Sequence, residues 1–142
     1  TTTVSDVVAG KTVYDKIYYD NYNYTVDAAK CSAKVVGDSR SLMAKYKNVT
    51  SKIKTSKTEK DGGNGILEIV FKTKNTQKKD SAYVTHYVLI YDSNNQVIGL
   101  TKDYEYLKAG KMDTGSVKAG TYYYGDAYDH YKVVTVAYST IY

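Results

Sequence analysis

Residues 83–91 constrain the fold of this chain more than any other run in the sequence. Successive side chains of a β-strand point to opposite faces of the sheet, so an extended run presents one face at its even positions and another at its odd positions. Both faces are largely apolar here: the even positions are Val84, His86, Val88 and Ile90, and the odd positions are Tyr83, Thr85, Tyr87, Leu89 and Tyr91. A strand with two apolar faces is covered on both sides. The pattern therefore predicts a central strand of a β-sheet.

Other short runs of strand-forming residues are separated by turn residues. Residues 61–65 (DGGNG) and 92–96 (DSNNQ) are strong turn signals, because Gly, Asn and Asp adopt turn conformations at low cost. The predicted strands are 13–19, 22–26, 49–57, 66–72, 83–91, 97–101, 117–124 and 131–138. This spacing is typical of an antiparallel β-sandwich of roughly seven to nine strands. The length of 142 residues fits one such domain over 1–142, with residues 1–63 either adding strands to the sandwich or forming a small appendage.

One short helix is predicted in the N-terminal half, at residues 39–47. Leu42, Met43 and Tyr46 lie at helical spacing, and Asp38 or Ser39 is suited to cap the first turn. An irregular strand pair around residues 34–36 is the alternative.

Tyrosine is strongly over-represented: the chain has 18 tyrosines, one phenylalanine and no tryptophan. Two clusters lie at residues 18–24 and 122–131. Strand alternation sends about half of each cluster away from the core, and outward rings are suited to pack against a sugar or a protein partner. The candidate ligand-binding residues are Tyr18, Tyr22, Tyr24, Tyr122, Tyr124 and Tyr128. Aromatic pairing between neighbouring strands is the alternative explanation of the clusters.

The charge of the chain comes almost entirely from lysine. The net charge is +5, and Arg40 is the only arginine among 20 basic residues. Because the planar guanidinium suits base and phosphate recognition, this composition argues against a dedicated nucleic-acid-binding protein. Residues 45–79 carry ten lysines against Glu59, Asp61 and Glu68, a local charge of +7. This segment is a candidate for contact with a polyanion, and the alternative is a solvated surface that resists aggregation.

The sequence contains no motif for catalysis or for a bound cofactor. It has no G-x-S-x-G, P-loop or H-E-x-x-H pattern. The candidate metal ligands His86, His130 and Cys31 lie far apart in sequence, and only His130 has acidic neighbours, Asp126 and Asp129. We therefore expect no catalytic residue, no metal and no cofactor. The single cysteine also excludes an internal disulfide.

Four segments between residues 64 and 138 share one pattern of strands and turns. They are residues 69–76 (IVFKTKNT), 88–92 (VLIYD), 95–99 (NQVIG) and 107–110 (LKAG). The pattern resembles the FxLYD family of bacterial extracellular domains, whose name motif is similar to residues 88–92, with Val88 in place of phenylalanine. The resemblance implies an immunoglobulin-like β-sandwich without catalytic residues.

Together these features predict a non-catalytic module of a secreted or cell-surface bacterial protein. It would act in recognition, adhesion or spacing through an exposed tyrosine-rich sheet face, with a protein or a polysaccharide as partner; nucleic acid is not the expected partner. A carbohydrate-binding module is the alternative, and polyanion binding through residues 45–79 is the second alternative. No run of 18 apolar residues exists, so no membrane span is predicted. The start at Thr1 without a signal peptide is expected of a secreted protein after processing.

Overall fold

The computed structural model describes residues 10–16 and 45–141 of the chain. Within these residues there are seven strands and one short helix. They are β1 (Lys45–Asn48), β2 (Ile53–Gly63), β3 (Ile66–Asn75), β4 (Ala82–Tyr91), β5 (Val97–Leu107), β6 (Met112–Ala119), α1 (Thr121–Tyr124) and β7 (His130–Ile141). The prediction of a mainly β fold is confirmed.

The strands form two antiparallel sheets. The larger sheet has the strand order β1-β7-β4-β5, and the smaller has the order β2-β3-β6. β4 pairs with β5 on one side and with β7 on the other, so the prediction of a central strand over residues 83–91 is confirmed. Hairpins join β2 to β3 and β4 to β5, while the other connections cross between the sheets.

Both predicted hairpin turns are present. Asn64 and Gly65 have φ angles of 53° and 76°, the left-handed conformation that a two-residue hairpin turn requires. At the other turn, the Asp92 carboxylate accepts hydrogen bonds from the backbone N–H groups of Asn94 and Gln96 at 2.9 and 2.8 Å. Each turn is thus held by the residue types that predicted it.

The space between the two sheets contains two apolar clusters separated by polar side chains. One cluster consists of Ile69, Phe71, Val88, Ile90, Val117 and Ala119. The other consists of Val49, Ala82, Val84, Leu107 and Ala137. His86 lies on β4 between Val84 of one cluster and Val88 of the other, and it is fully buried. The middle of the interior is therefore polar, which places a special demand on hydrogen bonding there.

The outer face of the larger sheet carries a third apolar cluster. Its buried members are Tyr87, Leu89, Leu100, Val136 and Tyr138. Val13 and Tyr14, from the described segment 10–16, pack against it, and the Tyr14 and Tyr87 ring centroids are 5.4 Å apart in an edge-to-face contact. This cover explains why both faces of residues 83–91 are apolar in sequence.

Several predictions for the N-terminal half are corrected or lie outside the described residues. The predicted helix at 39–47 is wrong over residues 45–47, which belong to strand β1, and residues 39–44 lie outside the described part. Pairing with β7 gives these residues backbone partners that a local helical pattern does not anticipate. Residues 13–16 are not in a strand, and the rest of the predicted strands 13–19 and 22–26 lies outside the described residues.

The predicted strand 117–124 ends early, at Ala119. Gly120 has φ 99°, which breaks the extended conformation, and residues Thr121–Tyr124 form a single helical turn instead. The Tyr122 N–H then donates to the carbonyl oxygen of Gly65 at 3.0 Å, which fixes this turn against the β2–β3 hairpin. The alternation argument therefore does not apply to Tyr122 and its neighbours.

Gly120 is predicted to tolerate no side chain. A Cβ there would lie 2.3 Å from the Gly65 carbonyl oxygen, whereas a Cβ at Gly110, which also has positive φ, would meet nothing within 4 Å. Gly110→Ala should cost about 1 kcal/mol of unfolding free energy through its backbone conformation alone. Gly120→Ala should cost at least about 2 kcal/mol more, measured by urea denaturation, because backbone must also move. Equal losses for the two variants would contradict this account.

Candidate functional sites: a tyrosine row and a buried carboxyl–histidine cluster

A row of tyrosines crosses the outer face of the larger sheet from one edge strand to the other. Its members, the tyrosine row, are Tyr104 and Tyr106 on β5, Tyr83 on β4, Tyr138 on β7 and Tyr46 on β1. Ring centroids of neighbours lie 4.9 Å apart for Tyr83–Tyr106 and Tyr46–Tyr138, 5.0 Å for Tyr83–Tyr138 and 6.2 Å for Tyr83–Tyr104. All four distances fall within the range of favourable aromatic pairs.

The ends of the tyrosine row are exposed and its middle is covered. Tyr104 and Tyr106 retain 56% and 50% of their accessible surface, and Tyr46 retains 39%. Tyr138 is buried at 8%, and Tyr83 is half-buried. The covered rings hold the exposed ones in place, so the row presents a surface that is partly preorganised for contact with another molecule.

A groove of about 420 Å³ lies farther along the same sheet face. Tyr14, Leu89, Tyr91 and Leu100 are among its lining residues. It lies towards the β4–β5 turn, whereas the tyrosine row lies near the opposite end of β4. Row and groove thus occupy one continuous face of the larger sheet.

The tyrosines singled out from sequence do not share one face. Tyr18, Tyr22 and Tyr24 lie outside the described residues. Tyr122 is 63% exposed in α1, but Tyr124 and Tyr128 are half-buried against the inner core cluster. Tyr124 packs so closely on Gly99 that a Cβ there would lie 2.2 Å from the ring.

Sequence reasoning missed the tyrosine row as a site, although part of its signal was visible. Tyr104 and Tyr106 are two residues apart, the spacing that places side chains on the same face of a strand. Side-chain alternation likewise places Tyr83 on one face of its strand. What joins these rings to Tyr46 and Tyr138 is strand order, which a local pattern does not contain.

Three side chains with metal-binding groups meet in the polar middle of the interior. His86 on β4 lies opposite Asp103 on β5, and Glu105 follows two residues later on the same face of β5. One donor atom from each of the three lies within 4.8 Å of the others. We call His86, Asp103 and Glu105 the carboxyl–histidine cluster. The sequence identifies His86 as a candidate metal ligand but does not identify its neighbours, because the two acidic residues come from an adjacent strand.

Two threonines hold the His86 ring in position. Its Nε2 lies 2.9 Å from the Thr73 hydroxyl of β3, and its Nδ1 lies 2.8 Å from the Thr135 hydroxyl of β7. Phe71 stacks on the ring with centroids 4.5 Å apart. Burial lowers the pKa of His86 to about 4, so the ring is neutral at physiological pH.

The two carboxyl groups are held where ionisation is costly. Burial, followed by the neighbouring charges of Asp103 and Asp113, raises the pKa of Glu105 to about 7. Burial also raises the pKa of Asp103. Both carboxyl oxygens of Glu105 and the Oδ2 of Asp103 are buried without a hydrogen-bond partner of normal geometry, although the Thr73 hydroxyl is near enough to favour the Glu105 charge. A buried carboxylate in this condition is unusual, because native interiors generally satisfy such groups.

Glycine makes room for this arrangement on the opposing sheet. A Cβ at Gly115 of β6 would lie 2.0 Å from the Asp103 Oδ2. Any other residue at this position would displace the Asp103 carboxyl group. The approach of β5 to β6 therefore depends on the absence of a side chain at Gly115.

Comparison with known proteins gives no family for this chain. No protein-family model matches it, and neither a curated protein nor a solved structure shows a significant match. Within residues 10–16 and 45–141, no helix has the length and apolar character needed to cross a membrane.

The Glu105 ionisation predicts a pH-dependent stability difference. Its pKa is higher in the folded state than in the unfolded chain, so its contribution is fully present below pH 4.5 and is lost as pH rises to about 7. Glu105→Gln removes this loss. The measured quantity is the melting temperature of Glu105→Gln minus that of the unmodified protein, in chelator-containing buffer. This difference should increase between pH 4.5 and 7 and stay constant above pH 7.

The stability contribution of His86 changes with pH in the opposite direction to that of Glu105, and it serves as an internal control for the comparison. Its pKa is lower in the folded state, so stability is present above pH 6.5 and falls as pH drops towards 4. Both proteins share this acid loss, which cancels in their difference. A difference that stays constant from pH 4.5 to 8 would show that Glu105 does not titrate as described.

Proposed function

We propose that this domain is a non-catalytic recognition module of a secreted or cell-surface bacterial protein, and that it binds a protein partner through the tyrosine row. The observation that carries the proposal is the continuity of the row across all four strands of the larger sheet, with exposed rings at both edges. The resemblance of residues 64–138 to bacterial extracellular domains supports the assignment to the cell surface.

Tyrosine is well suited to protein recognition. Its ring buries a large apolar area while its hydroxyl keeps a polar partner, and few rotamers are lost on binding. Tyrosines also dominate the small set of interface residues that contribute most of the binding energy. The groove farther along the same face supplies a concave place for one side chain of an extended partner, next to Tyr14 and Tyr91.

Ring orientation favours a protein partner over a sugar chain. Sugars stack on the open faces of aromatic rings, and a polysaccharide is best served by coplanar rings. Here Tyr83 and Tyr138 stack on each other, with ring planes 17° apart. The other pairs differ by 31° to 82°, so the row does not form one flat platform.

Selection from a phage-displayed peptide library on the full chain tests the proposal. Peptides selected on the unmodified protein should bind Tyr104→Ser/Tyr106→Ser at least tenfold more weakly, because each interface tyrosine contributes on the order of 1–2 kcal/mol. Affinities are measured with the purified peptides by fluorescence anisotropy.

Tyr122→Ser/Tyr123→Ser is the matched control. It removes two tyrosines that are 63% and 48% exposed but lie in α1, away from the sheet face. Peptide binding should be unchanged in this variant. Loss of binding there, with no loss in the row variant, would place recognition at α1. A glycan-array signal that depends on Tyr104 and Tyr106, with no peptide selected, would favour the carbohydrate alternative.

A second candidate function rests on the outer face of the smaller sheet. Strand register places five exposed lysines and Glu68 on this face, a formal charge of +4. The lysine face consists of Lys54, Lys60, Lys72, Lys74 and Lys118. Lys54 lies directly opposite Lys74, and like charges at such a position destabilise a sheet. A bound polyanion would turn this repulsion into attraction, which favours the lysine face as a polyanion-binding surface.

Sodium polyphosphate titration tests the lysine face. Binding should weaken steeply with salt, and Lys54→Gln/Lys74→Gln should reduce the slope of log K against log salt by about one unit for each lysine that contacts phosphate. Lys78→Gln/Lys79→Gln, in the loop before β4, removes the same charge away from this face and should leave the slope almost unchanged. If both variants change the slope equally, binding depends on the net charge of the protein and not on the lysine face.

A further inference from the structure

The carboxyl–histidine cluster contains buried carboxyl oxygens that lack well-formed hydrogen bonds to the rest of the protein. Glu105 retains only 6% of its accessible surface, and neither of its carboxyl oxygens has a hydrogen-bond partner of normal geometry, although the Thr73 hydroxyl and the Asp103 carboxyl group lie close to it. The Oδ2 of Asp103 is in the same condition. Burial of an unsatisfied carboxyl group costs free energy whether it is ionised or neutral, since water would supply hydrogen bonds in either state. Two such groups side by side call for a shared partner.

A divalent cation is a partner that satisfies both carboxyl groups and the imidazole at once. Ligand atoms bonded to one ion at roughly 2.0–2.2 Å lie about 3–4 Å from one another. The three donor atoms here lie within 4.8 Å of one another, so small side-chain rotations bring them to a common centre. Their backbone positions are fixed by the pairing of β4 with β5.

We propose that His86, Asp103 and Glu105 bind a divalent transition-metal ion of the Zn²⁺ or Mn²⁺ class between the two sheets. The donor set selects this class. One imidazole with two carboxylates suits Zn²⁺ or Mn²⁺, whereas Ca²⁺ takes six to eight oxygen ligands and Mg²⁺ keeps several waters. The Thr73 hydroxyl lies near Nε2 of His86 and offers a fourth ligand atom.

The neighbours of His86 already have the arrangement that a metal-binding histidine needs. If Nε2 binds the ion, Nδ1 carries the proton and donates it to the Thr135 hydroxyl at 2.8 Å. Such a hydrogen bond fixes the tautomer and the ring orientation of a metal ligand.

Asp103 is the least buried member of the cluster. Its carboxyl group occupies the place that a side chain at Gly115 would take. Asp113, exposed on β6, adds a negative charge close enough to affect both cluster carboxyls. This additional negative charge favours the approach of a cation to the Asp103 side of the cluster. The ion would join β4 and β5 more tightly and fill the polar middle of the sandwich, so its primary effect is on stability.

Titration of the full chain with ZnCl₂ and MnCl₂, with CaCl₂ in parallel, tests the proposal. The protein carries Cys31→Ser and His130→Gln, so that the lone cysteine and the exposed histidine contribute no ligand. Isothermal titration calorimetry should give one Zn²⁺ or Mn²⁺ per chain, and the melting temperature should rise with ion concentration because the ion binds only the folded state. Tighter binding of Ca²⁺ than of both transition metals would overturn the ion class.

The variants Glu105→Gln and Asp103→Asn decide whether these side chains are ligands. Replacement of an outer-shell group already costs 10–100-fold in metal affinity, so loss of a carboxylate ligand should cost about 100-fold or more. Glu105→Gln keeps the shape of the side chain and removes a costly buried charge, so it is expected to fold. Glu68→Gln, which removes a glutamate from the lysine face, is the control and should bind the ion normally.

A spectroscopic signature separates ligation from a structural effect. In this background His86 is the only histidine, and its ring protons should shift strongly when Co²⁺ replaces Zn²⁺. Absence of binding, binding that survives both carboxyl substitutions, or a His86 signal that does not respond to Co²⁺ would each overturn the proposal.

Discussion

The structure depends on one constraint: β4 is covered on both of its faces. Its even positions face the smaller sheet, and its odd positions face the segment 10–16 and the tyrosines of neighbouring strands. Burial of apolar area on two faces makes this strand the largest source of hydrophobic stabilisation in the described part of the chain. The strand also carries a member of each candidate site, His86 on one face and Tyr83 on the other, so both sites are built on a central, largely buried strand.

The polar middle of the interior shows how a sandwich accommodates ionisable groups. His86 is satisfied by threonine hydroxyls from two different strands, and stacking on Phe71 covers its ring. The Glu105 carboxyl oxygens and the Oδ2 of Asp103 have no hydrogen-bond partner of comparable geometry. An apolar pair of the same volume would be cheaper to bury. The proposed metal ion would give these two carboxyl groups the partner that the surrounding protein does not supply.

Tyrosine serves three different purposes in this protein. Tyr87 and Tyr138 stand where another protein would have phenylalanine in a core. Tyr131 closes the open edge between the sheets: Lys57 lies 4.5 Å over its ring and donates to its hydroxyl at 2.6 Å, while that hydroxyl donates to Glu59. Tyr104 and Tyr106 project from the edge strand β5. The excess of tyrosine thus reflects a need for side chains that pack on one side and remain polar on the other.

The sequence by itself determined the β-rich class, the central strand at residues 83–91 and both hairpin turns, because these follow from side-chain alternation and from residues that favour turn conformations. It misassigned residues 45–47 as helical and 120–124 as extended, since strand pairing at one place and a left-handed glycine at the other override local preference. Only the tertiary structure decided which tyrosines share a face and which carboxyl groups meet His86. Those juxtapositions depend on strand order and register, which bring together residues that are distant in sequence.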